Sequence, residues 1–269
     1  MIQKFTKDGF CLMPSFYDVK TQINPILNDI HRIIILVAEK YKINASCDTP
    51  FEAMTKGIMT IKNANRDWAA EIYDAVKQIP SFMQLVSDEK NSQIFKKLRP
   101  NSTPGLAAGG YGIRIDFPSD EKYRTYWHQD FPAQLRSVDG IVYWTPLIPV
   151  THELGPVEIA IGSHAEGIIP VSSDDGGVGK TGAYALRLDN EESRLSKYNN
   201  ISPTSKPGDL ILMDFLTLHQ SGNNYANYPR WSIQFRWFNF EDPIGQKIAW
   251  KGSFAQGVNF SEVLPELVI

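Results

Sequence analysis

Apolar residues change their spacing part-way along the chain. Ile23, Ile26, Leu27, Ile30, Ile34 and Val37 follow one helical face, and Asn24-Pro25 supplies a cap and a first-turn proline at its start. The same spacing predicts a second helix over residues 67–78, with Trp68, Ile72 and Val76 inward, and a shorter one around Phe82–Val86. From Gly110 the period becomes two: Tyr111, Ile113, Ile115 and Phe117 alternate with Gly112, Arg114 and Asp116. Residues 140–147, 157–161 and 209–218 are short apolar runs bounded by Gly, Pro or Asp, each predicting a strand. Helices first and strands afterwards predict one domain over residues 1–269: mainly helical cover to 105, a barrel core over 106–240 and a C-terminal extension from 241. In the last long strand, Arg230, Ser232, Gln234 and Arg236 share one face while Trp231, Ile233, Phe235 and Trp237 take the other. A polar face turned inward and an apolar face turned toward the helices suit a barrel that binds a charged molecule.

Composition narrows the partners. At 269 residues with 42% hydrophobic residues the chain can bury one large core, and 27 basic against 30 acidic residues leave no basic run for nucleic acid. The apolar stretch 33–38 stops at Glu39, so no membrane span is expected. The N-terminus has no basic segment followed by an apolar core, and a cytoplasmic protein acting on a small molecule is expected. Cys11 and Cys47 are read as free thiols; oligomeric state is not legible.

The chemistry is concentrated in His128-Gln129-Asp130. Read as a strand end, the segment puts His128 and Asp130 on one face, two imidazole or carboxylate ligands for one metal ion. The third must come from elsewhere. His31 lies in a predicted helix, His152 in a turn, and His164 has no arginine at a useful distance downstream. His219 follows Pro207-Gly208-Asp209 and an apolar run, and Arg230-Trp231-Ser232 comes eleven residues later. Two histidines and a carboxylate form the facial set of non-haem Fe(II) oxygenases, with three positions left for a bidentate 2-oxo acid and dioxygen. Arg230 and Ser232 suit the far carboxylate of that cosubstrate. Arg114, Gln129 and Arg136 are expected near the substrate, and the two arginines, if not paired with Asp116 and Asp139, favour a small polar or anionic one.

These segments carry a resemblance. Tyr126-Trp127-His128-Gln129-Asp130, Tyr143-Trp144-Thr145-Pro146-Leu147, Gly155-Pro156-Val157-Glu158-Ile159, Gly162-Ser163-His164, Pro207-Gly208-Asp209, His219-Gln220-Ser221-Gly222-Asn223 and Arg230-Trp231-Ser232 follow the order of the phytanoyl-CoA dioxygenase family. Phe5-Thr6-Lys7-Asp8-Gly9-Phe10 is similar to that family's N-terminal signature. The resemblance implies a double-stranded β-helix, a jelly-roll or cupin-like barrel, mainly β with α. It further implies Fe(II), 2-oxoglutarate and dioxygen for hydroxylation with release of succinate and CO2. It makes His128, Asp130 and His219 the iron ligands and Arg230 the clamp, and places Trp144 and Ser221 in the cosubstrate pocket. No sequence feature marks a coenzyme A site. A cupin-like metal isomerase or hydrolase would have little use for Arg230 and Ser232, and a non-catalytic metabolite-binding barrel would not require a full ligand set. Gly179-Lys180-Thr181 lacks the first glycine of a phosphate loop, since position 174 is Asp174; residues 172–182 read as a loop, either one that closes over the site or a plain surface loop.

Overall fold

The computed structural model describes residues 1–174, 177, 179–252, 257, 258 and 260–269. Its N-terminal part comprises helix α1 (Ile2–Asp8), strand β1 (Phe10–Met13), and helices α2 (Asn24–Lys40), α3 (Pro50–Glu52), α4 (Ile58–Ala64), α5 (Arg66–Val76), α6 (Pro80–Val86) and α7 (Glu89–Leu98). Helix α2 begins at the predicted Asn24-Pro25 and buries Ile26, Ile30, Ile34 and Val37 on one stripe. In α5 the buried stripe is Ala69, Ile72 and Val76. Trp68, expected inward, is only half-buried because it stacks on Tyr41 at 4.2 Å instead. Residues 175, 176 and 178 of the expected loop lie outside the described residues.

The strands that follow are β2 (Pro104–Leu106), β3 (Gly112–Asp116), β4 (Gly140–Pro146), β5 (Val157–Ala160), β6 (Val171–Ser173), β7 (Leu186–Leu188), β8 (Asn200–Ile201), β9 (Leu210–Asp214), β10 (His219–Ser221) and β11 (Arg230–Asn239). The larger sheet runs β1-β9-β4-β11, and β2 and β3 both pair with the far edge of β11 at its two ends. A second sheet runs β10-β5-β8, and β6 pairs with β7. All of these pairings are antiparallel, and the two sheets give the double-stranded β-helix expected from the sequence.

The core lies between the larger sheet and the helices. Trp231, Ile233 and Phe235 are fully buried on the outer face of β11, where Trp231 Nε1 donates to the Met54 carbonyl at 2.7 Å. Tyr143 on β4 reaches the same layer and donates to the Asn91 carbonyl of α7 at 2.9 Å. Register fixes the opposite face: Arg230 pairs with Asp116, Ser232 with Arg114 and Pro146, Gln234 with Trp144, and Arg236 with Val142. Directly opposed residues share a face, so the arginines, Asp116 and Trp144 line the interior together.

One expected strand divides. Residues 209–218 were read as a single run, but β9 ends at Asp214 and His219 opens β10 in the other sheet. Asp214 ends the strand by accepting from the Leu216 amide on Oδ1 (2.9 Å) and from the Thr217 amide on its carbonyl (2.9 Å). Among the described residues, no helix is long and apolar enough to cross a membrane.

Candidate active site

His128 and His219 form an isolated antiparallel bridge, exchanging backbone hydrogen bonds of 3.0 and 3.1 Å, so the two rings stand side by side with centroids 4.2 Å apart. His128 Nδ1 lies 2.8 Å from the Tyr126 carbonyl and His219 Nδ1 lies 2.9 Å from the Thr217 carbonyl. A carbonyl only accepts, so each Nδ1 carries the proton and each Nε2 presents its lone pair to the interior. Asp130 is not on a strand as expected. It opens a short helix, α8 (Asp130–Gln134), and its amide donates to the Phe215 carbonyl at 2.8 Å, which turns the carboxylate back toward the rings. Asp130 Oδ1 stands 3.4 Å from His128 Nε2 and 3.9 Å from His219 Nε2, and one ligand atom from each residue falls within 4.8 Å of the others. Neighbouring ligands about 2.1 Å from one metal ion stand about 3 Å apart, so the three atoms draw together on holding one.

Arg236 holds the carboxylate in place. Its Nε donates to Asp130 Oδ2 at 2.7 Å and its Nη2 at 3.4 Å to Oδ1, the oxygen nearer the rings, while Nη1 and Nη2 reach the Gly110 carbonyl and Gln234 Oε1, each at 3.3 Å. Burial alone would raise the Asp130 pKa, but the Arg236 charge holds it well below the usual carboxylate range. Burial, assisted by His128, lowers the His219 pKa to about 3 and keeps that ring neutral. An ionised carboxylate and a neutral imidazole are the forms that bind a metal.

Beside the triangle, Asp116 is shared between two guanidinium groups. Arg230 donates to its Oδ2 from Nη2 at 2.9 Å and Nε at 3.3 Å, and Arg114 donates to its Oδ1 at 2.7 Å. Burial opposes its charge, yet Arg114 and Arg230 lower the Asp116 pKa to about 2. Two polar atoms on the same face of β11 have no partner among the described residues: Arg230 Nη1 and Ser232 Oγ, both buried. An arginine braced along one edge with its other donor beside an open hydroxyl fits the far carboxylate of a dicarboxylate ligand. A cavity of about 540 Å³ reaches Arg230, Arg114 and Ser221 and is walled by Tyr73, Tyr123 and Tyr184. His128, Asp130 and His219 do not line it, so it opens at the Arg230 side of the site. Trp144 is buried across the sheet from Gln234.

Two expected substrate contacts are turned elsewhere. Gln129 sits between His128 and Asp130 and points the other way: its amide nitrogen donates to the carbonyls of Gly167 (2.7 Å) and Leu216 (2.9 Å), and its oxygen accepts from the Ile169 amide (2.8 Å). Arg136 is buried and donates to the carbonyls of Gln134 and Ala108, bracing backbone rather than lining the cavity. Asp139, foreseen as a partner of Arg136, pairs with Arg99 instead. Arg114 lines the cavity but is paired with Asp116. Of the other histidines, His31 contacts the Cys47 carbonyl at 2.6 Å and His164 the Thr6 carbonyl at 3.1 Å. The parity of β11 puts Arg236 on the inner face, where it meets Asp130.

The model of the family described as phytanoyl-CoA dioxygenase matches residues 5–231. The chain belongs to this family. Among curated proteins none matches it in sequence. Similar solved structures include the non-haem α-ketoglutarate-dependent epimerase SnoN from nogalamycin biosynthesis, with Fe3+ and α-ketoglutarate bound. It is 14% identical with a TM-score of 0.59, over 91% of this chain and 85% of that one. The carbocyclase SnoK of the same biosynthesis is 14% identical with a TM-score of 0.56, over 88% and 82%. EctD from S. alaskensis, with 2-oxoglutarate and 5-hydroxyectoine, is 16% identical with a TM-score of 0.52, over 88% and 74%. At these identities the likeness is one of fold.

Proposed function

We propose that this protein is an Fe(II)- and 2-oxoglutarate-dependent oxygenase that hydroxylates a small molecule. One observation carries the reading: a largely buried His128, Asp130, His219 triangle with both Nε2 atoms inward stands beside one arginine nitrogen and a hydroxyl that lack partners among the described residues. Family membership and the ligands named for SnoN and EctD support it. His128, Asp130 and His219 would hold iron, and Arg230 Nη1 with Ser232 Oγ would hold the far carboxylate of 2-oxoglutarate. Trp144 and Ser221 are assigned to the walls of the cosubstrate pocket. Iron with 2-oxoglutarate and dioxygen supplies an oxidant able to attack an unactivated C–H bond, with succinate and CO2 as coproducts.

The chain's own residues set the geometry for that chemistry. Carbonyls of Tyr126 and Thr217 fix the imidazole tautomers, and Arg236 selects which oxygen of Asp130 faces the metal. Asp116 braces Arg230 along one edge so that its remaining donor is preset for the cosubstrate rather than ordered on binding. Arg66, at the cavity, is taken by Asp120, which leaves it without free charge for the phosphates of an acyl-CoA. Anaerobic addition of 2-oxoglutarate to the Fe(II)-loaded protein should produce the charge-transfer absorption of a chelated 2-oxo acid, and oxygen should then yield succinate. Absence of that band overturns the reading. With 18O2, hydroxylation requires one labelled atom in the product; an unlabelled product of unchanged mass would indicate a redox-neutral outcome such as epimerisation. Phytanoyl-CoA should not stimulate succinate formation.

A further inference from the structure

Three cations share one aromatic ring beside the proposed metal centre. Lys180 Nζ lies 3.8 Å from the centroid of Tyr126, Arg187 Cζ 4.0 Å and Arg124 Cζ 4.8 Å. Tyr126 is held at its carbonyl by His128 Nδ1, so the ring projects from the segment that carries a proposed iron ligand. Like charges at such separations repel, and the ring's quadrupole answers only part of that repulsion.

The remaining neighbours neutralise only one of the three. Arg124 Nε meets both oxygens of Glu121 at 3.0 Å. Lys180 is buried and donates to the carbonyl of Arg124, while Arg187 Nη1 donates to the carbonyls of Leu186 (3.0 Å) and Tyr184 (3.4 Å). Carbonyls satisfy donors without cancelling charge. Among the described residues, the buried Arg187 Nη2 has no partner, and neither Lys180 nor Arg187 has a carboxylate within ion-pair distance. Glu191 feels Arg187 and Arg124 at longer range and makes no ion pair with them. Burial, then Arg187 and Arg124, lower the Lys180 pKa to about 8, the response of an ammonium crowded by like charge. Arg124 and Tyr184 both line the cavity, and Arg124 Nη1 also reaches the Ser221 carbonyl at 3.3 Å, so the cluster adjoins the space open to a substrate.

We infer that Arg124, Lys180 and Arg187, gathered around Tyr126, form the recognition pocket for a small anionic group, carboxylate or phosphate, carried by the substrate. The inference rests on the oxygenase reading and names the class of molecule that it acts on. Two cations without carboxylate partners and an unsatisfied guanidinium nitrogen are what an oxyanion would complete. The far carboxylate of 2-oxoglutarate is already provided for by Arg230 and Ser232, so the second anion belongs to the other reactant.

The test uses the full chain loaded anaerobically with Fe(II) and 2-oxoglutarate, titrated calorimetrically with inorganic phosphate and, separately, with acetate. The wild type should bind at least one of them, and Arg187→Gln and Lys180→Gln should each weaken that binding by about tenfold or more, as loss of a charge-assisted bond requires. Neither variant should move the 2-oxoglutarate concentration that half-saturates the charge-transfer band by more than about twofold, well under the tenfold that 1.4 kcal/mol represents. Because the cations repel, each variant should also melt no lower than the wild type. Failure of both anions to bind, undiminished binding in both variants, a matching loss of 2-oxoglutarate affinity, or a clear loss of stability would each overturn the inference. A protein that binds phosphate but forms no band would keep the pocket and lose the oxygenase reading.

Discussion

At the scale of single residues the site is a set of paired buried charges, and removing one partner has a different cost from removing both. Asp130 is buried against Arg236, so Asp130→Ala leaves a guanidinium in the interior without its counter-charge. Breaking such a pair costs about 3–5 kcal/mol, whereas replacing both charges by apolar groups is often nearly neutral. Asp130→Ala should therefore be destabilised by about that amount in chemical denaturation, and adding Arg236→Met should recover most of it. His128→Ala, Asp130→Ala and His219→Ala should each abolish stoichiometric Fe(II) binding, with full metal binding in any of them counting against the triangle. Arg230 differs because it touches no ligand atom of the metal. Arg230→Met should weaken 2-oxoglutarate binding by about 1.5–3 kcal/mol per lost charge-assisted bond while iron binding persists. A larger loss of cosubstrate affinity in Arg236→Met than in Arg230→Met would reverse the two assignments.

At the scale of elements, the corner between β9 and β10 decides whether the site exists, because it carries His219 out of the larger sheet and places the Phe215 carbonyl under the Asp130 amide. Gly140, at the start of β4, leaves room for this corner: a Cβ there would stand 2.2 Å from the Phe215 ring. Gly140→Ala should cost about 1–3 kcal/mol through overpacking. It should also weaken Fe(II) binding if the displaced Phe215 carries its carbonyl, the acceptor of the Asp130 amide, with it. Stability lost with metal affinity intact would show that the corner does not position Asp130. The sequence made β11 legible because its two faces differ in polarity, and Arg230, Ser232, Gln234 and Arg236 could be placed inward by parity alone. The break after Asp214 could not be read, since Leu210 to Leu218 is almost uniformly apolar and both sheets accept such residues. What fixes it is partly remote: Thr217 Oγ1 donates to the Gly9 carbonyl at 2.7 Å. Gln129 failed as a substrate contact for the reason that parity would have given, because its neighbours on both sides face the metal. Arg124, Lys180 and Arg187 lie on separate segments, and only the folded chain gathers them around Tyr126.

At the scale of the whole molecule, the metal triangle and the hydrophobic core lie on opposite faces of the same sheet. Ile23, Ile26, Ile30 and Ile34 from the helical side are fully buried with Trp231, Ile233 and Phe235, whereas Arg230, Ser232 and Arg236 face the interior of the β-helix. Burial of this extent does not depend on the three ligands, in contrast to small domains whose fold is metal-dependent. Metal should therefore act on stability only by binding to the folded state. At a hundredfold excess over Kd that linkage amounts to about 2.7 kcal/mol, which for a chain of this size corresponds to a rise in Tm of about 5–10 °C. Chelator-treated protein should keep its far-ultraviolet dichroism and a cooperative thermal transition. Addition of Fe(II) with 2-oxoglutarate should raise the Tm of the wild type and leave Asp130→Ala unmoved, because that variant retains the core and lacks a ligand. Loss of the cooperative transition on chelation would mean that the His128–His219 bridge and α8 are held by metal rather than by the hydrogen bonds to Tyr126, Thr217 and Phe215.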